Sequence, residues 1–138
     1  MDFELDEGLL LIRDMARALA RERIARRARE IDVAEQYPED VFQLFREQGL
    51  LGLGIPEAEG GAGPGVLGLS LAIEETAWAC ASSAQILALN LLCSWPLLVA
   101  GSRAQKETYL APAAAGRLRG AFALTEPNAG SDIGSMVA

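Results

Sequence analysis

The chain has 138 residues, 51% of them hydrophobic and 22% charged, with a formal net charge of −7 and a pI near 4.6. That length suffices for one domain with a packed core, and the acidic balance argues against nucleic acid, whose phosphates need a basic surface. Histidine is absent, which removes histidine-base mechanisms and most metal sites, and the two cysteines, Cys80 and Cys93, lie in apolar sequence without a CxxC spacing, as free thiols in a reducing compartment do.

In chain order, Asp6 caps a first helix expected to run to about Ile31. Leu9, Ile12, Ala16, Leu19 and Ala20 fall on one face, and Asp2, Glu4, Asp6 and Glu7 gather at its positive end. Seven of the twelve basic residues follow: Arg13, Arg17, Arg21, Arg23, Arg26, Arg27 and Arg29. They read as a solvated helix face or as a patch for an anionic ligand or a second subunit. Tyr37-Pro38 opens a short helix with Val41, Leu44 and Phe45 as its buried stripe, and Gly49 ends it in a left-handed cap.

Residues 52–65 hold seven glycines and prolines before the last, Gly65. A phosphate loop would need the Lys-Ser/Thr of a Walker motif or a GxGxxG between strand and helix. Neither is present, and Glu57 and Glu59 would repel phosphate. A third helix spans Leu67 to Ala81. Its adjacent Glu74 and Glu75 point about 100° apart, so a salt bridge and an exposed edge suit them better than acid–base work. Ser82-Ser83 is expected to cap a fourth helix, Ala84 to Ala100, apolar nearly all round and therefore central. Its apolar run from Ile86, interrupted by Asn90, Ser94 and Pro96, is too short for a membrane span, and Pro96 is expected to break or kink it. Gln85, Asn90 and Ser94 either make core hydrogen bonds or line a ligand cavity. Ser102 caps a last helix from Arg103 to about Ala115, Gly116 stops it, and Arg117 to Leu124 reads as a strand.

That strand leads into Thr125-Glu126-Pro127-Asn128-Ala129-Gly130-Ser131-Asp132, a tight loop of small residues, hydroxyls and free backbone N–H groups. Such a loop suits either an ordinary polar turn or a site where backbone approaches a phosphate or a flat ring. The string itself resembles the flavin-contacting signature of the acyl-CoA dehydrogenases. Two further segments resemble the same family in the same order: Ile55-Pro56-Glu57-Ala58-Glu59-Gly60-Gly61-Ala62-Gly63, and Gly101-Ser102-Arg103-Ala104-Gln105-Lys106-Glu107-Thr108-Tyr109-Leu110.

The resemblance implies an all-α N-terminal bundle over residues 1–118, followed over 119–138 by the first strand and flavin loop of a middle β domain. It implies FAD as cofactor and oxidation of the Cα–Cβ bond of an acyl-CoA thioester. Phe122, Ala123, Leu124 and Thr125 would face the flavin ring, and Gly130 and Ser131 would lie near its pyrophosphate, with Ser131 also near the thioester arm of the substrate. The fourth helix would border the acyl pocket, which favours the cavity reading of its polar residues. The catalytic carboxylate and the main subunit interface belong to segments of the family beyond this sequence, so no catalytic residue is assigned and Glu126 is not the base. The chain is therefore expected to be a fragment, a truncated product or one part of a larger assembly, inactive as a dehydrogenase alone, partnered by an acyl-CoA substrate and by further copies in a homo-oligomer or by the missing domains, binding neither nucleic acid nor membrane, and cytoplasmic in the absence of a leader. A related oxidase or flavin monooxygenase, or a non-catalytic helical interaction module, are the alternatives.

Overall fold

The computed structural model describes residues 4–137; Asp2, expected at the helix start, lies outside them. Helix α1 spans Glu7–Leu19, with the Asp6 carboxylate accepting the Leu9 N–H at 2.8 Å. The single long helix expected here is not formed. α1 passes into a π turn, Ala20–Ile24, in which the Ala25 N–H donates to Ala20 O at 2.8 Å, and a separate α2 follows at Ala28–Ala34. The wider π turn adds one residue to a helical turn, so the apolar period carries on while the helix is re-aimed. Ala20 and Ile24 are buried by it. α2 ends on Glu35 in the left-handed region at φ 51°.

α3 is Glu39–Glu47, with Pro38 at its cap and Gly49 at φ 70° beyond its end, as expected. Its buried residues are Val41, Phe42 and Phe45, with Leu44 only partly covered. α4 spans Gly65–Ala79 and α5 Ala81–Ala100, hinged on Cys80 in an extended conformation. No side chain caps α5, and the proposed cap residue Ser83 is fully buried with no partner for its hydroxyl. α5 runs through Pro96 for another turn, so the expected break does not occur. The proline lies one turn from the end of the helix and removes a single backbone N–H from its ladder. At 20 residues, α5 is longer than the sequence reading allowed and meets the length and hydropathy of a membrane span, with a mean hydropathy of 1.6. One side of it nevertheless packs on α4, and Asn90 and Ser94 are buried on it within hydrogen bonds.

The last helical stretch is α6, Arg103–Gln105, a π turn at Lys106–Leu110, and α7, Ala111–Ala114. Ser102 and Gln105 form a reciprocal capping box, and Gly116 at φ 65° stops the helix. Among the described residues no strand forms. The strand expected from Arg117 to Leu124 lacks a partner to complete its ladder, and the chain there runs without regular structure.

The core is a layer of α1, α4 and α5, closed by α3 and the turn at Leu50–Gly52 around Ile24, Phe45, Leu51, Leu69, Ala72 and Leu87. Ile55, Leu110 and Ala114 make a smaller cluster under α5. The glycine-rich loop belongs to this scaffold. Leu53 and Gly63 form an isolated parallel bridge, with the Gly54 N–H donating to Gly63 O at 3.2 Å, and the Ala62 N–H donates to Gly52 O at 2.9 Å. Gly54, Ile55, Glu59, Gly60, Gly61, Ala62 and Gly63 donate their N–H groups to carbonyls within the loop, which leaves few of its backbone donors for a phosphate.

Candidate functional site

The terminal segment is tied to the bundle at its start. Arg119 lays its guanidinium over Phe42 at 4.0 Å and over Tyr37 at 5.0 Å, and pairs with Glu39. Glu39 also accepts from the Gln43 amide at 2.8 Å. Its carboxyl lies below the usual range, chiefly because Arg119 donates to it and secondarily because Gln43 does. Gly120 packs against α5: a Cβ there would sit 2.4 Å from Cβ of Cys93.

Beyond this point Phe122, Ala123, Leu124 and Thr125 are all exposed, with Phe122 and Leu124 at 45% and 39%. Among the described residues the backbone of 119–125 enters no backbone–backbone hydrogen bond, and no partner is present for the Thr125 hydroxyl. The loop then closes tightly: the Glu126 N–H donates to Ala129 O at 2.9 Å and the Ala129 N–H to Glu126 O at 3.2 Å. Ala129 is buried at the inside of this bend. Gly130 and Ser131 stand on its outer side, exposed, and a Cβ on Gly130 would meet nothing nearer than Thr125 at 4.0 Å. Its lack of a side chain is therefore not demanded by this chain's own packing. The six expected contact residues are thus all exposed, with three apolar side chains, the hydroxyls of Thr125 and Ser131, and backbone N–H groups of 122–125 that make no backbone hydrogen bond among the described residues.

Beside the strip, a cleft of about 230 Å³ opens between α3 and α5, with Tyr37, Phe42, Gln85, Leu89, Asn90 and Arg119 in its lining. The two readings of the polar residues on α5 divide here. Gln85 faces the cleft. Asn90 borders it and also donates to the Leu51 carbonyl at 2.7 Å, while the Ser94 hydroxyl donates to Asn90 O at 2.7 Å inside the helix. A wider cleft of about 520 Å³ lies by the second π turn, but its charges are spent on each other, Lys106 with Glu59 at 3.0 Å and Arg103 with Glu107 at 2.8 Å. Glu75 is bound by Arg17 through two hydrogen bonds, at 2.6 and 2.9 Å, so the acidic pair on α4 contains a salt bridge and an exposed Glu74. The contacts of Arg119 with Tyr37, Glu39 and Phe42 have no local signal in the sequence, because the partners lie about eighty residues apart.

The description "acyl-CoA dehydrogenase, N-terminal domain" matches residues 6–117, most of the chain. The chain belongs to the acyl-CoA dehydrogenase family. A probable acyl-CoA dehydrogenase of Bacillus subtilis (strain 168) is 39% identical over 97% of this chain and 36% of its own length. An acryloyl-CoA reductase (NADH) of Anaerotignum propionicum is 40% identical over 99% of this chain and 34% of its own. The butyryl-CoA dehydrogenase structure from Megasphaera elsdenii superposes with a TM-score of 0.88 at 34% identity, over 96% of this chain and 36% of that one. The chain thus spans about a third of the length of these family members. The helical bundle is the N-terminal domain of the acyl-CoA dehydrogenase fold.

Proposed function

We propose that this chain forms the N-terminal portion of an FAD-dependent acyl-CoA dehydrogenase and contributes one wall of its flavin and thioester site. The exposed, uncommitted strip from Phe122 to Thr125, ending in the tight Glu126–Ala129 bend, carries the proposal. Phe122 and Leu124 would cover the ring, and the Thr125 hydroxyl with neighbouring N–H groups would bind its polar edge. Donors at that edge favour the negative charge of the reduced ring. Gly130 leaves open space for a phosphate or thioester arm, and Ser131 offers a hydroxyl beside it. When bound, FAD would supply hydride acceptance from the β-carbon of the acyl group. The cleft between α3 and α5 supplies an apolar border with Gln85 as a polar point. The chain spans about a third of the length of its relatives, and it is expected to be inactive alone and to work with further domains or copies. The two free, partly or wholly buried thiols suit a reducing cytoplasm.

The test is a chimera in which this chain replaces the corresponding N-terminal third of the M. elsdenii butyryl-CoA dehydrogenase. The chimera is expected to purify with FAD and to lose the flavin's visible absorption when an acyl-CoA is added anaerobically, whereas the isolated chain does neither. Uptake of FAD and bleaching by the isolated chain, or a folded chimera that holds no flavin, would contradict the proposal.

A further inference from the structure

The flavin-facing strip has an unusual support. Residues 119–125 enter no backbone ladder among the described residues, yet the strip begins at a defined place. Two consecutive residues define it. Arg119 is held on the α3 side by two aromatic faces and a carboxylate, and Gly120 is seated on Cys93 of α5. The Tyr37 and Phe42 rings are tilted against each other with centroids 6.3 Å apart, which presents both faces to one guanidinium. Arg119 is also part of the cleft lining that adjoins the strip.

We propose that Arg119 is a positioning residue for the flavin-facing strip: clasped by Tyr37, Phe42 and Glu39, it fixes where residues 121–125 leave the helical core, and with it the distance from the strip to the α3–α5 cleft. The positioning role rests on the flavin reading given above. A planar guanidinium serves this better than an ammonium, because it stacks on one ring while its edge binds a carboxylate. The clasp lies in half-exposed surface, so it holds through several weak contacts and not through a single strong one.

Two measurements test it. In the 138-residue chain, backbone ¹⁵N order parameters of residues 121–125 are expected to fall in Arg119→Ala below about 0.6, the flexible side of the usual range. Arg119→Lys, which keeps the charge on Glu39, is expected to recover part of the order, and Arg119→Met, which keeps only the stem, is not; the helices stay unchanged in all three. In the chimera, Arg119→Ala is expected to weaken FAD binding about tenfold, with partial recovery in Arg119→Lys. Unchanged order parameters in Arg119→Ala, or equal FAD affinity in the wild-type and Arg119→Ala chimeras, would overturn the positioning role. A wild-type chimera that takes up no FAD would instead overturn the flavin reading, with the relaxation data still deciding whether Arg119 anchors the strip.

Discussion

Gly61 has no room for a side chain: a Cβ there would lie 2.0 Å from the Ile55 carbonyl oxygen, which already accepts the Gly63 N–H at 3.0 Å. Neither atom can retreat, because Ile55 is buried in the small cluster under α5. Gly61→Ala is therefore expected to lower stability by about 1–3 kcal/mol, read from the urea midpoint. Gly130, by contrast, has open space around it and no left-handed φ, so Gly130→Ala should leave stability unchanged in this chain. The contrast separates a glycine needed by the fold from one whose place would be tested only by a ligand. Asn90 is a third case at this scale. Its amide satisfies the Leu51 carbonyl in the core, and Asn90→Leu would leave that oxygen buried without a donor. A loss of about 1–3 kcal/mol is expected, although the substitution adds apolar bulk.

At the scale of elements, α1 and α4 form the most extensive helix pair, and Arg17 and Glu75 join them across the edge of their interface. The hydrogen bond from Arg17 lowers the Glu75 carboxyl below its ordinary range against the opposing effect of desolvation, and the charges of Arg17, Arg21 and Arg13 assist. A carboxyl lowered on folding contributes stability that is complete above its unfolded value of about 4.3 and is lost as the pH falls through the lowered folded value. The melting temperature of the wild type should thus exceed that of Glu75→Gln at neutral pH, with the gap closing on the acid side of about 4.3. A gap that stays constant with pH would show that the pair does not couple the helices. The sequence marked these helices where end signals were strong: Asp6, Pro38 with Gly49, Ser102, and Gly116 all sit at observed boundaries. It did not mark the π turns at Ala20–Ile24 and Lys106–Leu110, because one inserted residue hardly disturbs an apolar period. The strip residues were legible as a motif, but their conformation was not. A strand exists through its partners, and β propensity in Phe122-Ala123-Leu124 cannot supply them. The support of Arg119 was hidden for a different reason: a clasp across the chain follows from tertiary packing alone.

For the whole molecule, the decisive feature is a helix with two apolar sides. α5 buries Ser83, Ile86, Leu87, Asn90 and Ser94 on one side, while Leu89, Leu92, Trp95 and Val99 remain 43–69% exposed on the other. Their spacing of three, three and four residues puts them within one stripe, and Phe122 and Leu124 add apolar surface from the terminal strip. A helix this apolar would ordinarily be enclosed, and a large contiguous exposed apolar surface marks a contact surface. The net charge of −7 opposes close approach of two copies, but its repulsion is screened beyond about 8 Å at physiological salt, whereas apolar burial is not. The isolated chain is therefore expected to self-associate with rising concentration in sedimentation velocity, more so as salt is added. Replacing Leu92 and Trp95 together by lysine and glutamate should return it to a monomer with its helicity intact, since neither side chain lies in the described core cluster. If the double variant associates as the wild type does, the contact lies elsewhere, and the exposed Leu11, Val66 and Leu67 on α1 and α4 become the surface to change next.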